Sequence, residues 1–197
     1  MLGIFQFDTK INTDLLKRKI LRNEPKILKK YSAIGYNGKL TDGGTGLGFN
    51  SLTSRSPNYN VLSWWGINFL KKEIKKNYEK VIGGKVDSIY VQCWANVMRN
   101  GEQIKPHRHE DDPYNLHGRF AGNLVVSVDQ LTHTYYDGTP VENKIGRMII
   151  FPSQVLHWTD TYRGKSERIT IAFDIKTHKD WQEDVYDDAK HHWIKIS

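Results

Sequence analysis

The sequence contains a single cysteine, Cys93, among its 197 residues, and this scarcity excludes two kinds of site. One thiol cannot form an internal disulfide, and it cannot build a zinc site made of cysteines. Cys93 lies in the strand-like run SIYVQCW, which favours a small buried hydrophobic residue over a nucleophile. The chain therefore fits a reducing compartment, and we expect it to be cytoplasmic.

Long hydrophobic runs are also absent from the sequence. The first residues, MLGIFQFDTK, lack the basic and apolar segments of a secretion signal, and no later run approaches the roughly 20 apolar residues of a membrane span. We therefore predict a soluble protein that has no membrane partner. Hydrophobic residues still make up 38% and aromatic residues 12% of the chain, which is enough for a packed core.

Basic residues are in excess, and they give the chain a formal net charge of +7. They concentrate in LLKRKILRNEPKILKK and FLKKEIKKNYEK, where they surround apolar positions at helical spacing. This pattern favours two amphipathic helices with solvated charged faces. A nucleic acid or an acidic protein is a less favoured partner for these faces. No pattern indicates an oligomeric state.

The sequence pattern changes from helical to strand-like near residue 85. Before this point, Asn12-Thr13-Asp14 is a predicted cap for one helix, and a second helix is predicted from about Ser63 to Lys80. The GGTGLG between them lacks the spacing of a phosphate-binding loop. The later part consists of short strand-like runs, which are SIYVQCWANVM, FAGNLVVSVD, LTHTYY, RMIIFPS and RITIAFDI.

These patterns predict a mainly β protein with N-terminal helices. We expect an N-terminal helical segment and Gly-rich loop over residues 1–84, packing on a β core over residues 85–178. A helical tail is predicted over residues 179–197. Several short strands separated by turn residues are typical of an antiparallel sandwich or barrel.

The stretch KPHRHEDD crowds two histidines and three acids directly after a proline. Residues two apart in a strand face the same side, so His107 and His109 can point together, as can His109 and Asp111. Either pair could hold a metal ion, and the best candidate for a third ligand is His157 in GRMIIFPSQVLHWTD. Such a set covers one face of an octahedral ion and leaves the other open for substrate and dioxygen.

The run RITIAF supplies a cation for a carboxylate co-substrate. Arg168 and Thr170 alternate with apolar residues in this run, so their side chains should share a face. If that face is the interior, the arginine must be paired, and its planar guanidinium suits a bidentate carboxylate.

The segments CWANVMRNGEQIKPHRH and GRMIIFPSQVLHWTDTYRGKSERITIAFDI, with the NLVVSV strand between them, resemble the iron(II)- and 2-oxoglutarate-dependent oxygenases. The similarity is closest to their prolyl-hydroxylase-like group and spans about residues 88–175. It implies a double-stranded β-helix, or jelly roll. It also implies an Fe(II) site made of a His-x-Asp/Glu pair and a distal histidine, together with an arginine that binds the far carboxylate of 2-oxoglutarate.

When the family's site residues are transferred to the matching positions of this sequence, the resemblance implies that His157 is the distal iron ligand and that Arg168 binds 2-oxoglutarate. Thr170, which shares the predicted face of Arg168, and Asn96, on the strand before the histidines, are further candidate contacts for 2-oxoglutarate. The resemblance assigns no catalytic residue beyond the metal centre itself.

Two registers remain open for the first pair of iron ligands. Alignment on Gly101 gives His107 and His109, which places a histidine where many relatives have a carboxylate. A shift of two residues gives His109 and Asp111, which is a His-x-Asp pair. His109 belongs to both registers.

The resemblance implies an enzyme, a dioxygenase that hydroxylates a substrate C–H bond and releases succinate and CO2. Its substrate would be a small molecule or a protein side chain. One alternative is a cupin-like metalloprotein that does not use 2-oxoglutarate. The other is a non-catalytic module that binds nucleic acid or protein through the basic helices.

Overall fold

The structure, a computed structural model, describes residues 3–32, 50–52, 61–109, 120–183 and 193–197. The strands in these residues are β1 (Phe5–Asp8), β2 (Asn50–Leu52), β3 (Ile89–Met98), β4 (Phe120–Ser127), β5 (His133–Tyr136), β6 (Thr139–Glu142), β7 (Arg147–Pro152), β8 (His157–Thr159), β9 (Arg168–Thr177) and β10 (Ile194–Ile196). The α-helices are α1 (Thr13–Ser32), α2 (Asn68–Ile82) and α3 (His178–Glu183). Among the described residues, no helix is both long and apolar enough to cross a membrane.

Two antiparallel sheets form the body of the molecule. The large sheet has the order β1-β7-β4-β9-β3-β10, with β2 also paired to β3, and the small sheet has the order β6-β5-β8. β3 and β9 lie side by side in the large sheet, where they pair without interruption from Ile89↔Thr177 to Met98↔Arg168. This mainly β architecture with N-terminal helices confirms the fold class predicted from the sequence.

One face of the large sheet carries a dry core beneath α1 and α2. Alternate residues of β3 and β9 point to this face, as expected for strands of period two. Cys93 is one of them, and its complete burial confirms the role predicted for it. The buried residues include Val91, Ala95, Val97, Ile169, Ile171 and Phe173 from the strands and Leu16, Ile20, Leu70 and Ile74 from the helices.

The other face of the large sheet faces the small sheet and carries both apolar and buried polar residues. Asn96, Asn123 and Arg168 are buried on this face. Side chains of the small sheet contact them directly, because Arg168 binds Thr134 and Asn123 binds Tyr136. The region between the sheets, which we call the inter-sheet chamber, therefore holds these polar groups beside an apolar cluster that includes Ile149 and Phe151.

The helix boundaries follow from local chemistry. The side-chain oxygen of Asn12 accepts the backbone N–H of Leu15 at 3.0 Å, so the predicted cap does begin α1. The second helix was predicted from about Ser63, but α2 begins at Asn68. Gly66 has a φ of +74°, a left-handed conformation that interrupts a right-handed helix.

The two ends of the chain join the large sheet as strands. β1 pairs with β7, which adds a strand to a segment predicted to be helical. The tail contains α3 but ends in β10, which pairs with β3 and is not the helix predicted there. The predicted boundaries at residues 84 and 178 stay predictions, and the GGTGLG stretch lies outside the described residues.

Candidate active site

Three histidine side chains meet at one end of the inter-sheet chamber. Their ligand nitrogens all lie within 4.8 Å of one another. His107 and His157 exchange two backbone hydrogen bonds, of 3.1 and 3.0 Å, which fix them opposite each other. His109 donates its backbone N–H to the carbonyl of Ser153 at 3.1 Å, and its ring centroid lies 5.5 Å from that of His107. The structure thus brings together three of the four predicted metal ligands.

The partners of the three rings set their tautomers. Nδ1 of His107 lies 2.9 Å, and that of His157 3.1 Å, from the carbonyl oxygen two residues earlier in the chain. Nδ1 of His109 contacts the carboxylate of Asp174. Because carbonyls and carboxylates only accept hydrogen bonds, each Nδ1 carries the ring proton. Each Nε2 therefore keeps a lone pair that is free to bind a metal ion.

Burial keeps the imidazoles of His107 and His157 in the form that binds metals. It lowers the pKa of His107 to about 4, and it lowers that of His157 well below its usual value. The neighbouring histidines lower both values further. A neutral imidazole is the form that ligates a metal, so this donor set of three nitrogens fits a divalent ion such as Fe(II).

The residues around the triad differ in part from those expected. Asp111, the alternative partner of His109, lies outside the described residues. Trp94 is half-buried, and its ring lies 5.6 Å from that of His109. Asp174 was missed by the sequence reasoning. The alternation along β9 could have found it, since this period places Asp174 on the same face as Arg168.

Arg168 lies in the inter-sheet chamber with 2% of its surface exposed. Its Nη2 donates to Oγ1 of Thr134 and Oδ1 of Asn143, both at 3.1 Å, and Nη1 lies 3.2 Å from the sulfur of Met98. No carboxylate of the described residues contacts it, and its Nε has no hydrogen-bond partner among them. Burial lowers the pKa of Arg168 to about 10, so the guanidinium remains charged at neutral pH.

Two buried amides lie on the same face of the large sheet as Arg168. Asn96 is paired in register with Thr170, and its Nδ2 lies 3.5 Å from the hydroxyl of that residue. Asn123 donates to the hydroxyl of Tyr136 at 2.7 Å. The amide oxygens of both asparagines lack partners among the described residues. Buried polar atoms are almost always hydrogen-bonded in folded proteins, so this face suits a polar ligand or water.

Tyr136 connects the histidines to the arginine. Its ring is parallel to that of His157 within 12°, with 6.0 Å between centroids, and its hydroxyl accepts the hydrogen bond from Asn123. Its position near Arg168 opposes the burial-driven fall in the pKa of that residue. The histidine triad and Arg168 therefore belong to a single chamber. Tyr136, Asn123, Thr134 and Asn143 were not expected from the sequence, where nothing distinguishes them from ordinary strand and turn residues.

Comparison with protein families supports the chemistry of this chamber. Residues 120–174 match a family model described as "Putative 2OG-Fe(II) oxygenase". The match covers β4 to β9, which include His157 and Arg168. It confirms the resemblance seen in the sequence, since this part of the chain is similar to the 2-oxoglutarate- and Fe(II)-dependent oxygenases. A comparison with curated proteins gives no match.

Solved structures with a similar fold include two prolyl hydroxylases and an epimerase. A prolyl-4-hydroxylase from Pseudomonas putida has a TM-score of 0.52 and 11% identity, and the alignment covers 90% of this chain and 94% of that one. A viral collagen prolyl hydroxylase from Paramecium bursaria Chlorella virus-1, in complex with 2-oxoglutarate, has a TM-score of 0.54, 12% identity and coverages of 88% and 96%. The α-ketoglutarate-dependent epimerase SnoN has a TM-score of 0.58, 10% identity and coverages of 89% and 76%. These similarities confirm the jelly-roll core.

Proposed function

We propose that this chain is an Fe(II)- and 2-oxoglutarate-dependent oxygenase that hydroxylates a C–H bond of its substrate. The observation that carries the proposal is the buried Arg168, which has no carboxylate partner among the described residues and shares a chamber with three metal-binding histidines. The reaction balances as one substrate C–H, one dioxygen and one 2-oxoglutarate giving one C–OH, one succinate and one CO2. One oxygen atom goes to the substrate and the other to succinate.

The three histidines would hold the metal ion. His107, His109 and His157 offer Nε2 lone pairs from two neighbouring segments of backbone, and hydrogen bonds at Nδ1 fix their rings. Bound Fe(II) supplies positions for the keto acid of 2-oxoglutarate and for dioxygen, and it supplies the redox chemistry that couples them. The protein's own contribution is a fixed ligand set that leaves those positions free.

Arg168 would bind the far carboxylate of 2-oxoglutarate. Thr134 and Asn143 anchor its Nη2. Among the described residues, its Nε has no partner and its Nη1 contacts only a sulfur atom. These donors suit the oxygens of a carboxylate, and such an ion pair offsets the cost of burying the cation. Thr170 and Asn96 lie on the same face and are proposed as further contacts.

The substrate would approach from the histidine end of the inter-sheet chamber. Trp94 and His107 are half-buried there, and 22% of the Asp174 side chain is exposed. The arginine end is closed, as the 2% exposure of Arg168 shows. A co-substrate bound at the Arg168 end would leave the histidine end open for a small molecule or a protein side chain.

Apolar neighbours keep the reaction site dry. The ring of Phe151 contacts that of His157 edge to face, with 4.8 Å between centroids, and it packs in the same way against Tyr136. Excluding water strengthens the electrostatic interaction between Arg168 and a bound carboxylate. It also limits the loss of reactive species to solvent.

The test is an anoxic titration of the metal-free protein with Fe(II) and 2-oxoglutarate. We expect the visible metal-to-ligand charge-transfer band of the chelate in the wild type and no band in the His157→Ala variant. A folded protein that binds Fe(II) but gives no band with 2-oxoglutarate would contradict the proposal and favour a metalloprotein without this co-substrate. No iron binding at all would favour a non-catalytic binding module.

A further inference from the structure

We infer that Asp174 is a positioning residue that supplies the negative charge of the metal centre from outside the ligand set. The inference rests on the proposed metal site at His107, His109 and His157. The carboxylate of Asp174 binds Nδ1 of His109, and among the described residues no other carboxylate contacts any of the three histidines. The three neutral imidazoles therefore bring no charge of their own to the ion.

The backbone around Asp174 makes it a rigid support. It lies on β9, where it is paired with Gln92 of β3 on one side and with Ala121 of β4 on the other. His109 lies outside the strands, and its backbone is tied by one hydrogen bond to Ser153. The orientation of the His109 ring therefore depends on the carboxylate that a central strand holds beside it.

The charges of the loaded chamber also require this carboxylate. A ferrous ion brings two positive charges and the buried Arg168 brings one, whereas bound 2-oxoglutarate brings two negative charges. Asp174 supplies one further negative charge, so that these charges, which are those of the described residues and the two ligands, sum to zero. A net charge that stays buried is costly, which is why this balance favours loading of the metal and co-substrate together.

Asp174 acts on the metal through His109. A carboxylate that accepts the Nδ1 proton fixes the tautomer and makes Nε2 a stronger donor. Partners of this kind change metal affinity by about 10- to 100-fold when they are removed. Because Asp174 does not itself ligate the metal, its loss should weaken the centre without abolishing it, in contrast to the loss of His157.

The test uses Co(II), whose affinity for the metal-free protein is measured by competition with a chelator. Asp174→Asn keeps an oxygen that can accept the Nδ1 proton but removes the charge, and Asp174→Ala removes both. We expect affinity to fall about 10-fold in the first variant and about 100-fold in the second. Asp160→Asn is the matched control, since Asp160 is an exposed carboxylate that binds only the Tyr135 hydroxyl at 2.9 Å among the described residues.

A second measurement distinguishes a positioning role of Asp174 from a general structural defect of the variant. The affinity for 2-oxoglutarate is measured at saturating Co(II), where a structural defect would weaken it along with the metal. If Asp174 is only a positioning residue, the Asp174→Asn variant loses one negative charge and nothing else. Its affinity for the dianion 2-oxoglutarate should then be unchanged or higher. Asp174→Asn binding Co(II) as tightly as the wild type, or losing both affinities together, would overturn the inference. A wild type that binds no Co(II) would overturn the metal centre itself, and the inference with it.

Discussion

Arg168 is a buried cation whose anionic partner is absent from the described part of the chain. Two neutral oxygens and one sulfur surround its guanidinium, and such contacts replace its hydration only in part. Burial lowers the pKa of Arg168 to about 10, because removing the charged guanidinium from water is unfavourable. Arg168 therefore lowers the stability of the protein without 2-oxoglutarate, and its proposed role is to bind a carboxylate.

Because the buried charge of Arg168 lowers stability but would bind the co-substrate, Arg168→Met should have opposite effects on stability and on binding. Replacing an unpaired buried charge with an apolar side chain of similar length should raise the free energy of unfolding of the ligand-free protein by about 1–4 kcal/mol. The affinity for 2-oxoglutarate should fall at least about 30-fold, because the proposed charged partner is gone. Urea unfolding measures the first quantity, and titration at saturating Co(II) measures the second.

Arg147→Met provides the control for this experiment. Arg147 pairs with Asp8 at 3.0 Å, on the edge of the large sheet, where 55% of the Asp8 side chain is exposed. Its loss should change neither the affinity for 2-oxoglutarate nor, by more than about 1 kcal/mol, the stability. An Arg168→Met protein that is less stable than the wild type but still binds 2-oxoglutarate normally would refute the role assigned to Arg168.

Single residues of the site were predictable only where their type is chemically unusual. Histidines two apart, a later histidine and an arginine in an apolar strand can be selected from the sequence because few structural roles need them there. Asp174 was predictable only in part, from the period that it shares with Arg168 along β9. Asn123, Thr134 and Asn143 are common polar residues in ordinary positions. Their roles arise where β9 and β4 cross the small sheet, and no local pattern encodes that crossing.

β4 lies in the middle of the large sheet, and its glycine allows an aromatic ring to cover it. Gly122 is paired with Phe173 of β9. A Cβ at this position would lie 2.5 Å from two atoms of the Phe173 ring and 2.6 Å from the backbone oxygen of Ile149. The ring could move, but the backbone oxygen is held in the sheet. The close approach of these three strands thus depends on the missing side chain.

We expect Gly122→Ala to destabilise the protein by about 1–3 kcal/mol or more, because overpacking must displace the strand. Gly84→Ala is the matched control, since nothing lies within 4 Å of the added Cβ and its φ is not in the left-handed region. The control should change the free energy of unfolding by no more than about 0.5 kcal/mol. Equal stability of the two variants in urea unfolding would show that the sheet adapts at Gly122.

The elements were predictable where the pattern is long. β3 and β9 each have ten residues, and the sequence located both. β1 and β10 have four and three residues, which is too short for a period to be distinctive. They become strands because the edges formed by β7 and β3 offer unpaired backbone groups. Pairing of this kind is a property of the assembled sheet and not of the segment.

In the molecule as a whole, one face of the large sheet carries the hydrophobic core and the other carries the residues of the candidate active site. Its outer face packs under α1 and α2 in a dry core, and its inner face holds the polar groups of the inter-sheet chamber. Since both faces belong to the same strands, ligands that tie the inner face together also hold the sheet that carries the core. Loading of the chamber should therefore be visible in the unfolding of the entire domain.

This coupling predicts that Co(II) and 2-oxoglutarate stabilise the protein cooperatively. A ligand present at a hundred times its Kd adds about 2.7 kcal/mol to the free energy of unfolding, which corresponds to a rise of about 5–10 °C in Tm for a chain of this size. 2-Oxoglutarate alone would bind only at the Arg168 end of the inter-sheet chamber, whereas with metal it would be held at both ends. We therefore expect the rise in Tm with both ligands to exceed the sum of the separate rises.

The variants distinguish the two ends of the chamber in the same thermal measurement. Arg168→Met should keep the rise in Tm caused by Co(II) but lose the additional rise caused by 2-oxoglutarate. His157→Ala should lose most of the metal effect and, with it, the cooperativity. Strictly additive shifts in the wild type would mean that the two ligands bind independently, and the histidine triad and Arg168 would then not act on one bound molecule.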